Sequence, residues 1–408
     1  MNILKNIYII IAALLISSCS KDEVIVADET NFNEKEASVS QNGFLPGDEV
    51  TRTTLSYGAE GLTINWNVDD KFGIFPTSGA NGPTPTGISM QGFTCYSVDN
   101  NPQNASINSD NSGFQFLTTY GYTAFYAKTI DQEAQYNNID FDFTEQTQKG
   151  YVNMGAYYRA GNNYNDPTYK DSETAACQHL SDVDVLISPE MKRDDTKQRM
   201  FFPMRHIGAI ARFFLLTPAK KLKIKELRLI SNNKIFYETG KVTLTKHPYV
   251  EEYEPLEKPI TVTAGFDYST DIYNFGVCLP QFDEPQVTPN EAGQTNCLVL
   301  KFGDNGNGIE TLYSSDTAYG NYLLAYMMMY PINTTDADNV YVYVTAEDLE
   351  TNKPLYFRSG KLANKNMFSG YVYQWKERTT EDTPIELTAT LQTWQEVASG
   401  AIDTTLEK

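Results

Sequence analysis

Apolar and polar residues alternate with a period of two along much of this chain, which is the pattern of half-buried β-strands. Near the end, residues 385–391 place aliphatic side chains on one face and polar ones on the other. Residues 62–66 alternate in the same way before an Asn- and Asp-rich turn at 67–70, so 62–76 predicts a hairpin. Further strands are predicted at 93–98, 120–128, 139–143, 182–187, 222–229, 241–244, 260–263, 273–279, 297–302, 340–345, 355–358 and 370–375.

Many short strands joined by turns are typical of β-sandwich domains, so the sequence predicts an all-β fold. The 408 residues exceed the roughly 250–300 at which a single core stops growing, which favours two domains. A charged segment at 189–199 is the candidate boundary, and the domains are predicted at 51–198 and 199–408. A slip in the alternation within 222–229 predicts a β-bulge. A helix or loop region is expected at 311–330.

The first residues contain the features of an exported lipoprotein. Lys5 precedes an apolar run at 7–16 that has the length of a secretory signal and is too short to span a bilayer. The small residues Ser17 and Ser18 then lead to Cys19, and this arrangement resembles the lipobox of bacterial lipoproteins. The resemblance implies that residues 1–18 are a signal peptide and that Cys19 carries lipid, including acyl chains such as palmitate.

Residues 19–50 are dominated by polar side chains and are predicted to be a flexible tether. The charged run at 20–23 resembles the export signal of lipoproteins that reach the outer face of the outer membrane. No later run is long enough to span a bilayer, so we expect the body of the protein to be held at the membrane by lipid alone.

The formal net charge of −20 argues against nucleic acid as a partner, because nucleic-acid binders present basic surfaces. The 27 Tyr and 21 Phe residues are compatible both with β-strands and with surfaces that bind partners or sugars. Composition therefore excludes one class of partner and leaves protein and glycan partners open.

The sequence contains no recognisable catalytic motif. Its three histidines have no metal-protease spacing, and no phosphate-binding or dinucleotide-binding glycine loop is present. His206 lies in an apolar run and is predicted to be a hydrogen-bonded structural residue. The segment 304–308 lacks the alternating carboxylates of a calcium loop, which favours an Asn-Gly turn. The sequence therefore predicts a non-enzymatic protein with no metal and no cofactor.

Four cysteines follow the lipobox, and none are in a C-x-x-C pair. In an exported chain they could form disulfides, with Cys278 and Cys297 as the closest pair and Cys95 with Cys177 as the remainder. Free buried thiols are an equal alternative.

Three sequence blocks together resemble the fimbrillin family, the subunits of lipoprotein-derived type V pili. The first block is 51–54 with 64–66 and 70–75, the second is 181–186 with 202–213, and the third is 370–373 with 385–394. Asp184 and Val185 depart from the pattern, in which a leucine pair is commoner, and residues 136–176 have no counterpart.

This resemblance implies two tandem transthyretin-like β-sandwich domains in a pilus subunit that serves adhesion. It also implies that an arginine-specific protease cuts between Arg52 and Thr53, which removes the first strand. An extended segment of the next subunit then fills the groove. The C-terminal strand is the candidate donor, through Ile385, Leu387, Ala389 and Leu391. The alternatives are an exposed edge arginine at position 52 and an ordinary internal strand at the C-terminus.

The partners expected on this basis are other pilus subunits, identical or different, joined head to tail. Further expected partners are the outer membrane, contacted through lipid on Cys19, and ligands on host or bacterial surfaces. The expected location is the outer membrane or the fimbrium. A rival hypothesis is a surface glycan-binding lipoprotein of a polysaccharide-uptake system. It depends on the Tyr-, Asn- and Gly-rich segment 136–176, whose rings could stack on sugars.

Overall fold

The computed structural model of the chain describes residues 32–41, 45–46, 65–79, 90–100, 104–127, 139–161, 163, 165–188, 191–242, 287–289, 293–313, 322–367, 369–375, 385–386 and 388–390. Strands predominate in these ranges, which confirms the prediction of an all-β fold. Within the same ranges, no helix has the length and apolar character needed to cross a bilayer.

The described residues contain three short helices and many strands. The helices are α1 Met154–Arg159, α2 Pro167–Cys177 and α3 Leu180–Val183. The strands of the first half are β1 Glu36–Gln41, β2 Leu45–Pro46, β3 Lys71–Gly79, β4 Gln91–Val98, β5 Asn104–Ser109, β6 Tyr120–Ala127, β7 Ile139–Asp142, β8 Gln146–Gln148, β9 Val185–Ile187, β10 Met191–Lys192 and β11 Met200–His206. Those of the second half are β12 Ala209–Leu216, β13 Leu222–Ser231, β14 Phe236–Tyr237, β15 Thr239–Val242, β16 Val287–Pro289, β17 Gln294–Thr295, β18 Cys297–Phe302, β19 Ile309–Glu310, β20 Tyr322–Met329, β21 Val340–Asp348, β22 Lys353–Arg358, β23 Tyr371–Trp375, β24 Ile385–Glu386 and β25 Thr388–Thr390.

The first sheet closes on itself. Its strand order is β10-β6-β3-β4-β5-β1-β11-β9, and β9 also pairs with β6, so seven strands form a ring. The inward side chains alternate along each strand and enclose one core. Members of this core are Ala37, Val39, Trp66, Phe72, Ile74, Phe93, Cys95, Ala105, Ile107, Phe116, Tyr122, Ala124, Tyr126, Leu186, Met200, Phe202 and Met204.

Two further sheets pack face to face around a second core. One has the order β2-β23-β12-β20, with β24 also paired to β12, and the other has the order β25-β22-β21-β13-β18-β8, with β19 paired to β13. The core between them includes Phe213 and Trp375, whose rings stack at 6.0 Å, and Leu227 opposite Leu300. In β13 the register shifts between Ile224 and Glu226. The predicted β-bulge is therefore present.

A third core joins the two halves. It contains outward residues of the first sheet such as Phe125, residues of the helices such as Tyr169, and residues of β12 and β20 such as Ile210 and Tyr326. The sheet containing β12 and β20 is consequently covered on both faces, and both strands are buried along nearly their whole length. A strand buried on both faces loses the alternation of polar residues that marks a half-buried strand.

The prediction of a flexible tether over 19–50 is wrong for residues 36–41. These residues form β1, which has neighbours on both sides in the first sheet. The physical reason is that the surrounding strands supply the hydrogen bonds and the apolar core, so that a segment with only small apolar residues can be ordered. The rest of the predicted tether lies outside the described residues apart from 32–35 and β2.

The predicted domain boundary at 198/199 remains a prediction. In the structure, sheet membership changes between β11, which is in the first sheet, and β12, which is in the sandwich. Strands β7 and β8 precede that point in sequence and pair with β15 and β18, which follow it. The first half of the chain therefore contributes strands to sheets of the second half.

The expected helix or loop region at 311–330 is also corrected. Residues 322–329 form β20, and the helices lie at 154–183. Two local sequence signals mark the start of helix α2, since Asp166 accepts a hydrogen bond from the Tyr169 amide as its N-cap and Pro167 occupies its first turn. Within the hairpin prediction, the turn at 67–70 and β3 are present, while residues 62–64 lie outside the described residues.

Leu300 and Leu312 provide a matched test of the sandwich core. Leu300 is fully buried and Leu312 is 47% exposed. We expect Leu300→Ala to lower the free energy of unfolding by about 2–5 kcal/mol, because it leaves a cavity. Leu312→Ala should change it by no more than about 0.5 kcal/mol. Urea denaturation of both variants measures the difference, and equal losses would contradict this assignment of the core.

Candidate functional site

The first strand, β1, is held on both edges. It runs antiparallel to β5, with Val39 opposite Ala105, and parallel to β11, with Val39 opposite Phe202. The register covers five residue pairs on each side. A strand inside a sheet satisfies its backbone N–H and C=O groups in both directions. Strand β1 therefore supplies hydrogen-bond partners to both β5 and β11.

The side chains of β1 contribute little apolar area. Its burial alternates, and Ala37, Val39 and Gln41 face inward with 0, 0 and 3% exposure. Burying one valine stabilises the fold by about 1.5–3 kcal/mol, and an alanine contributes less. Since each backbone hydrogen bond contributes a net of about 0.5–1.5 kcal/mol, the two ladders together hold β1 more strongly than its side chains do.

The segment before β1 is clamped by Arg193. The guanidinium carbon lies 4.2 Å from the centre of the Phe32 ring, and Nη1 donates to Glu34 Oε1 at 3.2 Å and to the Phe116 carbonyl at 2.7 Å. Nε donates to Asp195 Oδ1 at 2.6 Å. The planar fork of arginine suits several acceptors at once. Arg193 therefore joins the lead-in of β1 to the loop at 114–117.

Backbone bonds and a second arginine extend this attachment. The Asn33 amide donates to the Gln198 carbonyl at 2.6 Å, and the Phe116 amide donates to the Glu34 carbonyl at 3.0 Å. Arg199 Nη1 donates to Ser106 Oγ at 2.9 Å and lies 4.0 Å from Glu36 Oε2. The charged segment at 191–199 thus fastens the entry of the first strand.

Strand β2 extends the contribution of the N-terminal residues to a second sheet. Leu45 and Pro46 pair in parallel with Tyr371 and Val372 of β23. Residues that precede position 47 therefore occupy strand positions in the closed sheet and in the sandwich.

The C-terminal segment pairs within its own chain. Ile385 pairs in parallel with Leu215 of β12, and Ala389 pairs antiparallel with Phe357 of β22. The pairings are short, since β24 has two residues and β25 has three. The other two donor candidates, Leu387 and Leu391, lie outside the described residues, as do Cys19, Arg52 and Thr53.

The two described histidines, His179 and His206, are buried and hydrogen-bonded. His206 Nδ1 lies 2.9 and 3.0 Å from the carboxylate oxygens of Asp184, as predicted for a structural residue. His179 has Nδ1 at 2.9 Å from the Ala176 carbonyl and Nε2 at 2.8 Å from the Tyr326 carbonyl. Burial lowers the pKa of His179, and the two carbonyl bonds oppose that shift.

No group of three or more His, Cys, Asp or Glu side chains within the described ranges is arranged to hold a metal ion. Residues 304–306 form a 3₁₀ turn in which Asn305 and Gly306 have φ of 54° and 72°. Asn and Gly tolerate this left-handed region, so the segment is the predicted turn.

The three described cysteines are free thiols. Cys95 and Cys177 are free and buried, in different cores, so their predicted pairing is wrong and the alternative of free thiols holds for them. Cys297 is free and half-buried, and Cys278 lies outside the described residues. Burial raises the pKa of all three thiols, to about 11 for Cys297, which keeps them protonated and weakly nucleophilic.

The aromatic residues that motivated the glycan hypothesis face a core. Tyr157 and Tyr169 are buried in the third core, and Tyr158 packs against it. Tyr136 and Tyr164 lie outside the described residues. The described rings of this segment therefore offer no exposed stacking platform, and nothing in them favours sugar binding.

Comparison with known proteins gives structural matches only. No family model matches the chain, and no curated protein sequence matches it. The similar solved structures include a candidate cell adhesion protein from Bacteroides uniformis, which is 13% identical, with 81% of this chain and 93% of that chain covered and a TM-score of 0.40.

Two further similar structures are fimbrial proteins. One from Bacteroides ovatus is 9% identical, with 88% of this chain and 51% of that chain covered and a TM-score of 0.33. The tip fimbrial protein Mfa3 from Porphyromonas gingivalis, with a C-terminal truncation, is 8% identical, with 87% and 98% covered and a TM-score of 0.29. All three TM-scores lie below 0.5.

Replacing Arg193 with alanine should loosen the lead-in of β1. The variant loses three charge-assisted hydrogen bonds and the contact with the Phe32 ring. We expect the amides of Asn33 and Phe116 to exchange with solvent about tenfold faster, as measured by hydrogen–deuterium exchange. Lys197→Ala, an exposed change in the same segment, is the control. Unchanged exchange at both amides in Arg193→Ala would contradict the clamp.

His179 should make the stability of the protein depend on pH. Because its folded-state pKa lies below the unfolded value of about 6.5, the unfolded chain binds more protons between those two values. The contribution of His179 to the free energy of unfolding is therefore fully present above pH 6.5, and it is lost as the pH falls through the folded-state pKa. We expect His179→Gln to flatten the dependence of the urea midpoint on pH below 6.5. An equal slope in the wild type and the variant would oppose this assignment.

Proposed function

We propose that this protein is a cell-surface lipoprotein that serves as a fimbrial subunit, assembles by β-strand donation and functions in adhesion. Cys19 carries the lipid that holds the precursor at the outer membrane, and the bond between Arg52 and Thr53 is the processing site. One observation carries the proposal. The segment that precedes Arg52 contains β1, a strand with neighbours on both sides in the closed sheet.

Cleavage at Arg52 would disconnect β1 and β2 from the rest of the chain. If they leave, β5 and β11 each lose a register of five residue pairs, and β23 loses its pairing with residues 45 and 46. The gap also exposes core residues that flank β1, including Ile107 and Phe202. Two unpaired strand edges beside an apolar slot bind an extended segment strongly.

The donor in this proposal is the C-terminal strand of the next subunit, through Ile385, Leu387, Ala389 and Leu391. Its period-two pattern suits a slot that is apolar on one side. The described residues of this segment pair with β12 over two residues and with β22 over three, so release of this described part breaks few hydrogen bonds. A contact from the end of one subunit to the beginning of the next is heterologous and gives an open filament.

The fate of the lipid follows from the cleavage. When the chain is cut at Arg52, the lipid on Cys19 leaves with the N-terminal segment, and it has served in transport and in holding the precursor. A subunit that keeps its N-terminal segment remains bound to the outer membrane and would act at the base of a fimbrium. The partners are identical or different subunits and ligands on host or bacterial surfaces.

Treatment of the purified precursor with an arginine-specific protease tests the proposal. We expect a chain that begins at Thr53, release of the fragment containing β1, and a ladder of oligomers on unheated gels. Arg52→Lys removes the cleavage site with little change in charge and is the matched control, which should remain whole and monomeric. A chain that is cut at Arg52 and loses β1 but stays monomeric would overturn assembly by strand donation.

A further inference from the structure

The outer edge of β20 is closed by side chains instead of by a strand. Among the described strands, β20 ends its sheet and pairs antiparallel with β12 on its other side. Backbone groups of its even-numbered residues face away from β12 and are bonded by side chains from elsewhere in the chain. Such an edge ordinarily offers its N–H and C=O groups to any extended chain.

Two glutamines of β8 bond this edge as a strand would. Gln146 donates from Nε2 to the Met328 carbonyl at 2.8 Å and accepts the Met328 amide on Oε1 at 2.7 Å. Gln148 donates to the Leu324 carbonyl at 2.9 Å and accepts the Tyr326 amide at 3.1 Å. The spacing of two places both side chains on one face of β8, as in any strand.

Two other side chains complete the row. His179 Nε2 lies 2.8 Å from the Tyr326 carbonyl, and the Tyr151 hydroxyl donates to the Tyr322 carbonyl. With the glutamines, all four outward carbonyls from Tyr322 to Met328 have a polar side-chain atom within hydrogen-bond distance. The four side chains Tyr151, Gln146, Gln148 and His179 are called the edge ladder below.

The side-chain amides of Gln146 and Gln148 are buried, and their N–H groups and oxygen atoms are hydrogen-bonded. Gln146 and Gln148 are 1 and 0% exposed. The second N–H of each amide donates to a local carbonyl, that of Phe143 at 2.9 Å for Gln146 and that of Gly150 at 3.0 Å for Gln148. A buried amide is tolerated when its donors and acceptor are bonded. Both glutamines are therefore specified in orientation as well as in position.

The ladder also joins two sheets. The backbone of β8 pairs in parallel with β18 of the sandwich's other sheet, with Gln146 opposite Leu300. Its side chains reach across to β20 of the facing sheet. The segment that contains β8 and the helices thus lies along one open side of the sandwich and covers the edge of β20.

We propose that the edge ladder takes the place of a strand along β20 and prevents an extended segment of a second copy from adding there. In a subunit that exchanges its first strand, this device confines strand addition to the slot of β1. The ladder itself does not depend on the proposed function, because an exposed edge would promote association of the uncut chain as well.

The double variant Gln146→Leu/Gln148→Leu, in the full uncut chain, tests the proposal. Leucine has a similar volume and cannot bond the edge, so the segment over β20 should open more often. We expect the amides of Tyr326 and Met328 to exchange at least about tenfold faster, while that of Met327, which faces β12, changes less. Light scattering after size-exclusion chromatography should show concentration-dependent dimers or larger species where the wild type is monomeric.

Gln178→Leu is the control for added hydrophobicity, because Gln178 is exposed beside the same helices. The Gln178→Leu variant should remain monomeric, and its amides in β20 should exchange with solvent at the wild-type rate. A folded double variant that stays monomeric, as judged by circular dichroism and light scattering, would overturn the proposal. Because no protease is used, this result would leave assembly by strand donation untouched.

Gln148→Glu keeps the shape of the side chain and provides a test should the double variant fail to fold. An ionised carboxylate can accept the Tyr326 amide but cannot donate to the Leu324 carbonyl, whereas protonation restores one donor. We expect association when the carboxyl is ionised and recovery of the monomer on acidification. A Gln148→Glu protein that is monomeric both when the carboxyl is ionised and when it is protonated would contradict the role of these hydrogen bonds in protecting the edge of β20.

Discussion

Backbone pairing on both edges of β1 is the interaction on which the rest of the structure depends. The first sheet is a ring, and a ring has no free edge only while every member is present. Its core is shared by all seven strands, so removal of β1 leaves β5 and β11 with unpaired groups next to apolar side chains. Small inward residues at positions 37 and 39 make β1 a strand held mainly by its backbone. A segment with a different sequence can therefore offer the same bonds.

The same requirement explains the positions of several polar side chains. The edge of β20 is satisfied by the edge ladder, and His206 is bonded to Asp184 where β11 leaves the first sheet. Arg193 bonds the lead-in of β1 and a loop of the same sheet. In each case a polar side chain completes a strand end, a strand edge or the lead-in to a strand. The closed sheet and the sandwich differ in this respect, since the strand β1 completes β5 and β11 in the closed sheet, whereas side chains complete the edge of β20 in the sandwich.

The sequence predicts the half-buried strands well and fails where both faces are buried or where tertiary contacts decide. Lys71–Gly79, Cys297–Phe302 and Val340–Asp348 have alternating or compact apolar patterns, and the slip near Lys225 identified the bulge. Tyr322–Met329 has no alternation because it is covered on both sides, so its pattern could not be distinguished from that of a helix or loop. Glu36–Gln41 has too few large apolar residues to reveal a strand whose bonds come from distant neighbours. The roles of Gln146 and Gln148 depend on a sheet formed more than 170 residues later, which no local pattern contains.

The central claim is that the first strand is a temporary occupant of the closed sheet. The N-terminal residue of the protein recovered from assembled material at the cell surface tests this claim most directly. Edman sequencing or mass spectrometry should find Thr53 at the N-terminus, with Glu36–Gln41 absent from the assembled protein. Assembled protein that still contains residues 36–41 joined to the rest of the chain would contradict the account, because β1 would then be a permanent strand and no slot would form.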